Sequence, residues 1–365
     1  MTYIHKLKNW PSFTWDKDHL NLRLEQVRLK QGRLIGKMER LGFKIQEEAV
    51  LQTLTEDILK TSEIEGEVLD RNQVRSSIAR KLGMDIVGLV KSDRNIEGVV
   101  EMMLDATLKY MQPLTEERLF SWHAALFPTG RSGMTKIIVG NWRDDSNGPM
   151  QVISGPIGKS KIHFEAPNAK KLKKEMRQFL NWANCKKMED SLICAGIAHL
   201  WFVTIHPFED GNGRIARAIA DMFLAKSEDS PQRFYSMSTQ INTERKEYYS
   251  ILESTQKGSL NITDWLDWFL SCLDRALVNS EFILSTVLKK ATFWETHLHV
   301  NFNDRQRKVI NRLLDGFNGN LTSSKWALLA KCSQDTASRD IDELLKNKIL
   351  KKNPGGGRNT SYSLL

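Results

Sequence analysis

Apolar residues recur at helical spacing over most of the chain. One such face begins at residue 51 and continues with positions 54, 58 and 59, which predicts a helix from about residue 49 to residue 65. Gly66 then occupies the position that commonly ends a helix. Asp70, with Gln73 three residues later, has the spacing of a capping box at the start of the next helix. Similar faces recur through residues 94–126. The chain is therefore predicted to be mostly α-helical.

The pattern changes between residues 138 and 164. Turn signals rich in glycine, asparagine and proline occur at 140–143, 147–149 and 155–158. Two short runs, 150–154 and 161–165, flank the last of these turns. This arrangement predicts a β-hairpin, which must lean on the helical core because an isolated hairpin is only marginally stable.

A second break lies between two apolar helices. Residues 190–205 are apolar and contain no proline, which predicts a buried helix. Pro207 disfavours helix at the preceding residue, so this helix should end near His206. Residues 215–225 again have the pattern of a helix. The polar stretch from His206 to Arg217 is therefore expected to form a loop and the first turn of the second helix.

This loop has the residues that bind phosphate. Gly211 and Gly213 permit positive φ and allow a ligand to approach the backbone closely. The start of the following helix adds unpaired N–H groups and the positive end of its dipole. Arg214 and Arg217 are three residues apart and share a helix face, so both can contact one anion.

Two further side chains of the loop can take part in chemistry at a phosphate. Asp210 is the strongest candidate ligand for a hard cation such as Mg²⁺, which at phosphates typically uses one or two carboxylates. His206 would be neutral near pH 7 and can accept a proton. The loop thus combines a candidate base, a candidate metal ligand and an anion site.

Residues 206–217 read HPFEDGNGRIAR and fit the full HPF-x-[D/E]-GNGR-x-x-R signature of Fic domains. The chain therefore resembles a family that transfers AMP from ATP to a hydroxyl side chain of a protein. A branch that phosphorylates its targets has Lys at the position of Gly213, and this chain does not. The resemblance implies these roles: His206 as the base, Asp210 as the Mg²⁺ ligand, Gly211, Asn212 and Gly213 on the α-phosphate, and Arg214 and Arg217 on the β- and γ-phosphates.

The end of the first predicted helix matches a second pattern of the same family. Thr61, Glu65 and Gly66 complete [S/T]-x-x-x-E-[G/N], the family's inhibitory signature, and Thr61 and Glu65 share a helix face. By resemblance, Glu65 pairs with Arg217 and removes the partner of the γ-phosphate. ATP would then bind poorly or with its α-phosphate misaligned.

The resemblance also assigns two binding surfaces. The hairpin at about 150–165 corresponds to a flap that pairs with an extended segment of the target protein, a form of β-augmentation. Tyr249 and Leu252 lie in a YY-x-x-L segment whose side chains line the adenine site. Gln256 stands where the family often has Asn, and core packing is a rival role for both tyrosines of the segment.

Residues 301–365 resemble a winged helix. Three short helices are followed by a strand, a glycine-rich tip and another strand. DNA binding would use the third helix in the major groove, with Lys352 or Arg358 at phosphates. Such modules also form protein contacts, and Asp340, Asp342 and Glu343 place acid on the third helix, which weighs against DNA.

Composition narrows the setting without selecting a function. The 365 residues are 41% hydrophobic and 27% charged, as in ordinary globular proteins, and the net charge of +9 is modest and expected to be spread along the chain. A nucleotide or a nucleic acid would both fit that charge. No secretory leader or membrane span is recognised, and four cysteines without metal spacing favour reduced thiols. These features predict a cytoplasmic protein without membrane contact.

We therefore predict a mostly α protein with three regions. Residues 1–45 form an N-terminal arm and helix, residues 46–300 a Fic helical core with a hairpin flap, and residues 301–365 a winged-helix-like domain. The predicted function is transfer of AMP from Mg-ATP to a Ser, Thr or Tyr hydroxyl, inhibited by Glu65. The alternatives are removal of AMP with Glu65 activating water, and a DNA-binding regulator that senses nucleotide. By resemblance a homodimer is expected as well.

Overall fold

The computed structural model describes residues 2–365 except 85, 87, 147, 156–160, 186–188, 315, 316, 318 and 355–359. It also leaves undescribed the side chains of residues 44, 281–283 and 286. The chain divides into two compact units, Met1–Glu281 and Phe282–Leu365. Helices dominate both units, which confirms the predicted mostly α fold. Among the described residues, no helix is long and apolar enough to cross a membrane.

The first unit contains ten α-helices and part of an eleventh among its described residues, with two short 3₁₀ helices and two small hairpins. The helices are α1 (Lys17–Glu39), α2 (Phe43–Ile64), α3 (Arg71–Lys81), α4 (Arg94–Leu108), α5 (Glu116–Leu126), α6 (Leu172–Ala183), α7 (Ser191–Ile205), α8 (Asn212–Glu228), α9 (Met237–Thr243), α10 (Arg245–Gln256) and α11 (Thr263–Thr296), the last of which continues into the second unit. The strands are β1 (Arg131–Ser132), β2 (Thr135–Lys136), β3 (Gln151–Ser154) and β4 (Lys161–Glu165).

Helix α7 lies in the centre of this unit. Every residue from Leu192 to Ile205 is buried, and the carboxylate of Asp190 caps the helix by accepting from the Leu192 N–H at 2.9 Å. Small residues let other helices approach. A Cβ added at Gly196 would lie 2.8 Å from the Leu266 side chain, and the Gly196 carbonyl accepts from the Trp265 indole. This close packing gives the following loop a rigid base.

The predicted break between the two apolar helices is present. Helix α7 ends at Ile205, and its C-cap, His206, has φ 51° and ψ 58° in the left-handed region. Helix α8 begins at Asn212 after Gly211, whose φ of 78° favours glycine. Six residues, 206–211, therefore connect two buried helices, and this short connection with the first turn of α8 contains the residues of the predicted chemistry.

Helix α2 begins at Phe43, six residues before the predicted start, and ends at Ile64 with Glu65 as its C-cap. Gly66 takes φ 87°, so that its N–H bonds to the Glu63 carbonyl and the Glu67 N–H bonds to the Ser62 carbonyl. This pair of bonds is a Schellman motif. It turns the chain sharply and gives Glu65 and Glu67 defined directions.

The predicted hairpin forms from β3 and β4, which pair antiparallel with a register shift between Val152 and Ile153. Helix α10 supports it, because the Glu253 carboxylate lies 2.6 Å from Nδ1 of His163 on β4. The tip that was predicted as a turn at 155–158 lies outside the described residues after Gly155.

The second unit contains three helices followed by two antiparallel strands, the order of elements expected from the sequence. Its elements are α12 (Asp304–Leu314), α13 (Ser323–Ala330), α14 (Gln334–Lys346), β5 (Leu350–Lys352) and β6 (Tyr362–Leu364), with β5 and β6 antiparallel. A core that includes Val309, Ile310, Trp326 and Ile341 holds them together. The tip residues 355–359, with the predicted phosphate contact Arg358, lie outside the described residues.

Candidate active site

The predicted base, His206, has its tautomer set by a backbone contact. Nδ1 lies 3.1 Å from the Val203 carbonyl, which can only accept, so Nδ1 carries the proton and Nε2 keeps its lone pair. Burial lowers the pKa of His206 to about 4. The imidazole is therefore neutral at physiological pH, the state that a proton acceptor needs.

The loop after His206 is held by a segment that the sequence marked only as a turn. The Arg143 guanidinium donates through Nε to the His206 carbonyl at 2.7 Å, and the Arg143 backbone N–H donates to the Pro207 carbonyl at 2.9 Å. The Ile138 N–H donates to the Glu209 carboxylate at 2.6 Å. Residues 131–143 thus act as a frame for the loop.

His123 on α5 is buried, and both of its ring nitrogens have partners. The Gly140 N–H donates to Nδ1 at 3.2 Å, which leaves Nε2 protonated to donate to the Asp210 carbonyl at 3.2 Å. The ring stacks on Phe208 with centroids 4.2 Å apart. Burial lowers the pKa of His123 to about 4. The side chain is in the core and also supports the loop directly.

The predicted metal ligand, Asp210, projects one carboxylate into the site. One oxygen accepts from the Gly211 N–H at 2.6 Å, and the other contacts the hydroxyl of Ser132 on β1. Among the described residues no group of three or more His, Cys, Asp and Glu could hold a metal. A cation bound at Asp210 would therefore take further ligands from phosphate oxygens, as Mg²⁺ commonly does.

The glycine turn has the shape that an anion site requires. A Cβ at Gly211 would lie 2.9 Å from the Phe127 ring, so no other residue fits without a shift. The Asn212 side chain bonds to its own loop, accepting from the Phe208 N–H and donating to the Phe208 carbonyl. Because this amide is occupied, the backbone N–H groups at the start of α8 are the donors left for a phosphate.

Both predicted phosphate-binding arginines are buried, and both are paired with the segment that follows α2. Arg217 donates to the Thr61 hydroxyl at 2.7 Å, to the Thr61 carbonyl at 2.9 Å and to the Glu65 carboxylate at 2.7 Å. Arg214 donates to the Glu67 carboxylate at 2.6 Å. The sequence pattern indicated Glu65 and Thr61 but gave no signal for Glu67 beyond its charge.

The Glu65 carboxylate also lies against the glycine turn. A Cβ built on Gly213 would be 2.2 Å from Oε1 of Glu65. Nη1 of Arg217 is buried and has no hydrogen-bond partner among the described residues. A carboxylate therefore occupies the space in front of the turn, while part of the guanidinium remains available to a second anion.

Of the two predicted adenine contacts, Tyr249 lies against the end of α2. Tyr249 on α10 is 40% exposed, and its hydroxyl donates to the Ile64 carbonyl at 3.4 Å, whereas Leu252 is buried. The neighbouring Tyr248 is a core residue that contacts Nε2 of His199 at 2.8 Å. Gln256, which stands where the resembled family often has Asn, is buried, and its amide nitrogen lies 3.2 Å from the Thr204 hydroxyl.

Two regions of the chain match known family models. Residues 113–224 match the family model for the Fic/DOC family, and residues 3–84 match a domain of unknown function, DUF4172. Residues 113–224 are therefore similar to the Fic/DOC family, and the region before them is similar to DUF4172.

Curated relatives point to the same family, and a solved structure shows a similar fold. The chain is 27% identical over 205 residues to protein adenylyltransferase fic-1 of Caenorhabditis elegans. This alignment covers 56% of this chain and 37% of that protein. It is 30% identical over 115 residues to protein adenylyltransferase Fic of Nematostella vectensis, covering 30% of this chain and 25% of that protein. The chain thus spans well under half of these relatives. The fold is similar to a Fic family protein from Desulfovibrio desulfuricans G20, with a TM-score of 0.51, 18% identity and coverage of 94% of this chain and 96% of the other.

Proposed function

We propose that the protein is an adenylyltransferase that moves AMP from Mg-ATP to a Ser, Thr or Tyr hydroxyl of a target protein. The observation that carries this proposal is the arrangement at the start of α8. A neutral His206, the Asp210 carboxylate and the buried Arg214 and Arg217 surround one short glycine turn. The names of the curated relatives support the same activity.

In this mechanism His206 accepts the proton of the target hydroxyl at Nε2. The hydroxyl oxygen attacks the α-phosphorus of ATP, the bond to the β-phosphate oxygen breaks, and pyrophosphate leaves. Backbone N–H groups at the start of α8 bind the α-phosphate, while Arg214 and Arg217 hold the β- and γ-phosphates. Asp210 would hold Mg²⁺, which neutralises phosphate charge when bound. Positioning and charge stabilisation supply most of the rate enhancement.

The hairpin of β3 and β4 is the proposed docking site for the target. It has only two strands, so it offers a backbone edge to an extended segment. Ile153 and Ile162 are 59% and 46% exposed, which provides apolar surface for the side chains of such a segment. The segment would bring its hydroxyl toward His206.

Inhibition in this proposal comes from both carboxylates after α2. Glu65 binds the arginine that would hold one terminal phosphate, and Glu67 binds the other. Gly66 directs both side chains, because its positive φ reverses the chain between them. The segment therefore competes with the two terminal phosphates of ATP for their arginines.

The contribution of Glu67 can be measured separately. Glu67→Gln should strengthen ATP binding only a few-fold, because Glu67 is 48% exposed and surface ion pairs contribute roughly 1 kcal/mol or less. Calorimetric titration with ATP would give the dissociation constant. Glu63→Gln is the matched control, since Glu63 lies on the same helix end but pairs with Lys60. Equal effects of the two substitutions would contradict a specific role of Glu67.

The second unit supports a separate proposal, which is binding of double-stranded DNA. The sequence as a whole suggested that the excess positive charge is spread along the chain. The division into units shows instead that it is concentrated in the second unit. Residues 282–365 contain fourteen lysines and arginines against seven aspartates and glutamates, so this unit carries seven of the nine net positive charges. Asp340, which weighed against DNA, is 3% exposed and paired with Arg305 inside the unit. Its charge is therefore directed away from the exposed face of α14.

Lys351 and Lys352 on β5 are exposed and should contact DNA phosphates. Fluorescence anisotropy on a duplex of about 20 base pairs should show salt-dependent binding, and Lys351→Ala with Lys352→Ala should weaken it and reduce the salt slope by roughly two. Lys173→Ala with Lys174→Ala, on α6 of the first unit, is the control and should leave binding unchanged. No binding at low salt, or equal loss in both variants, would contradict the proposal.

A further inference from the structure

The backbone at His206 needs external support. With φ 51° and ψ 58°, it is a non-glycine residue in the left-handed region, where its Cβ crowds the following carbonyl. Such conformations persist only where the surroundings hold them. The bond from the His206 N–H to the Phe202 carbonyl, at 2.9 Å, restrains the residue from the α7 side. A restraint is also needed on the side of the loop.

Arg143 provides that restraint with two donors. Its Nε donates to the His206 carbonyl at 2.7 Å and its backbone N–H donates to the Pro207 carbonyl at 2.9 Å. One residue therefore holds two consecutive carbonyls, which fixes the peptide plane that follows the imidazole. The Arg143 side chain is 0% exposed, so water does not compete for these bonds.

The remaining donors of the guanidinium bind the chain on both sides of the flap, at Asp145 before β3 and at Pro167 after β4. Nη2 donates to the Pro167 carbonyl at 2.6 Å, two residues after β4 ends. Nη1 donates to Asp145 at 2.7 Å, and the other oxygen of Asp145 accepts from the Ala169 N–H at 2.7 Å. Arg143 thus connects the chain leaving the flap to the backbone of His206.

We propose that Arg143 is a positioning residue that holds the His206 imidazole and the base of the target-binding flap in a fixed relation. This inference rests on the proposed transferase function, since it concerns how the acceptor hydroxyl reaches His206. Arginine suits the role because its planar fork serves acceptors in several directions at once, whereas a lysine ammonium is a single point.

The charge of Arg143 gives the proposal a second, independent signature. Burial is the main cause of the lowered pKa of His206; Arg143 lowers it further, while Glu65 and Asp210 raise it. Removing the charge of Arg143 should therefore raise the pKa of His206. A residue that only stabilised the fold would leave this pKa unchanged.

The test uses the full chain with Glu65→Gly, alone and combined with Arg143→Gln, Arg143→Lys or Arg118→Gln. Arg118 is the matched control, because it is also nearly buried and also donates to an aspartate and to backbone carbonyls. Its partners, however, are Asp105 and the loop after α4, and not the loop that contains His206. Three quantities are measured: auto-modification with α-labelled ATP, the dissociation constant of ATP, and the His206 pKa from its imidazole resonances.

Arg143→Gln should lower the auto-modification rate by about 10²-fold, the loss expected of a misplaced catalytic group, and leave ATP affinity within about two-fold. The His206 pKa should rise. Arg143→Lys should lower the rate comparably but leave the pKa near its original value, because it keeps the charge. Arg118→Gln should lower the melting temperature without changing the auto-modification rate or the His206 pKa.

Two outcomes would overturn the inference. One is an unchanged His206 pKa in Arg143→Gln, and the other is a loss of rate matched by Arg118→Gln. If the Glu65→Gly protein transfers no label at all, the proposed function fails, but the resonance titration still decides the role of Arg143. If Arg143→Gln does not fold, Arg143→Lys carries the test, and an unimpaired rate in that folded variant overturns the inference.

Discussion

Replacing His206 by alanine in a Glu65→Gly background should lower the rate of AMP transfer by roughly 10²- to 10⁴-fold, the usual contribution of a general base. The reason is geometric as well as chemical. Nδ1 is committed to the Val203 carbonyl and the pKa is lowered to about 4, so Nε2 is an acceptor at neutral pH. Incorporation of label from α-labelled ATP, followed over time, measures the effect.

A surface histidine is the control for this experiment. His19 on α1 is exposed, and His19→Ala should leave the rate of the Glu65→Gly protein unchanged. The affinity for ATP should also survive His206→Ala, because the phosphates are bound by α8 and its arginines. A His206→Ala protein that transfers label as fast as its parent would exclude His206 as the base.

Glu65→Gly should strengthen ATP binding by roughly 10- to 100-fold and raise auto-modification accordingly. The Glu65 carboxylate bonds to Arg217 at 2.7 Å, and a hydrogen bond to a charged group contributes about 1.5–3 kcal/mol, with each 1.4 kcal/mol worth a factor of ten. A gain near 10-fold is expected, since Glu65 is 30% exposed and its ion pair is partly screened by solvent. Titration calorimetry and label incorporation give the two quantities.

Glu65→Gln separates charge from bulk. It keeps the size of the side chain against Gly213 but removes the ion pair, so an intermediate gain is expected if both matter. A Glu65→Gly protein with wild-type ATP affinity and wild-type auto-modification would refute the inhibitory role. If instead the wild-type protein removes AMP from a modified target and Glu65→Gly cannot, Glu65 activates water and the reaction runs in the opposite direction.

Local chemistry explains why the central loop could be predicted from the sequence. Pro207 and Gly211 act on the backbone within a residue or two, so the end of α7 and the start of α8 follow from their positions. The hairpin and the Gly66 turn are local in the same sense. By contrast, α2 begins at Phe43 rather than near residue 49, and Phe43 is 70% exposed, so no apolar face marked that first turn.

Long-range contacts explain what the sequence did not reveal. Glu67 and Arg214 are 147 residues apart, Ser132 and Asp210 are 78 apart, and Arg143 and His206 are 63 apart. No spacing rule connects such pairs, because only the packed helices bring them together. The distribution of charge was missed for a related reason. The basic excess of residues 282–365 becomes visible only when the boundary of the second unit is known.

Transfer of the α-phosphoryl group of ATP together with its nucleoside can be tested in a single labelling experiment. The Glu65→Gly protein is incubated with ATP labelled at the α- or the γ-phosphate and with cell lysate, and modified residues are identified by mass spectrometry. We predict AMP on Ser, Thr or Tyr side chains and label from the α-phosphate alone. The double variant Glu65→Gly, His206→Ala should transfer no label. Label from the γ-phosphate above that of lysate without the protein, or no covalent label from either phosphate, would exclude AMP transfer by this site.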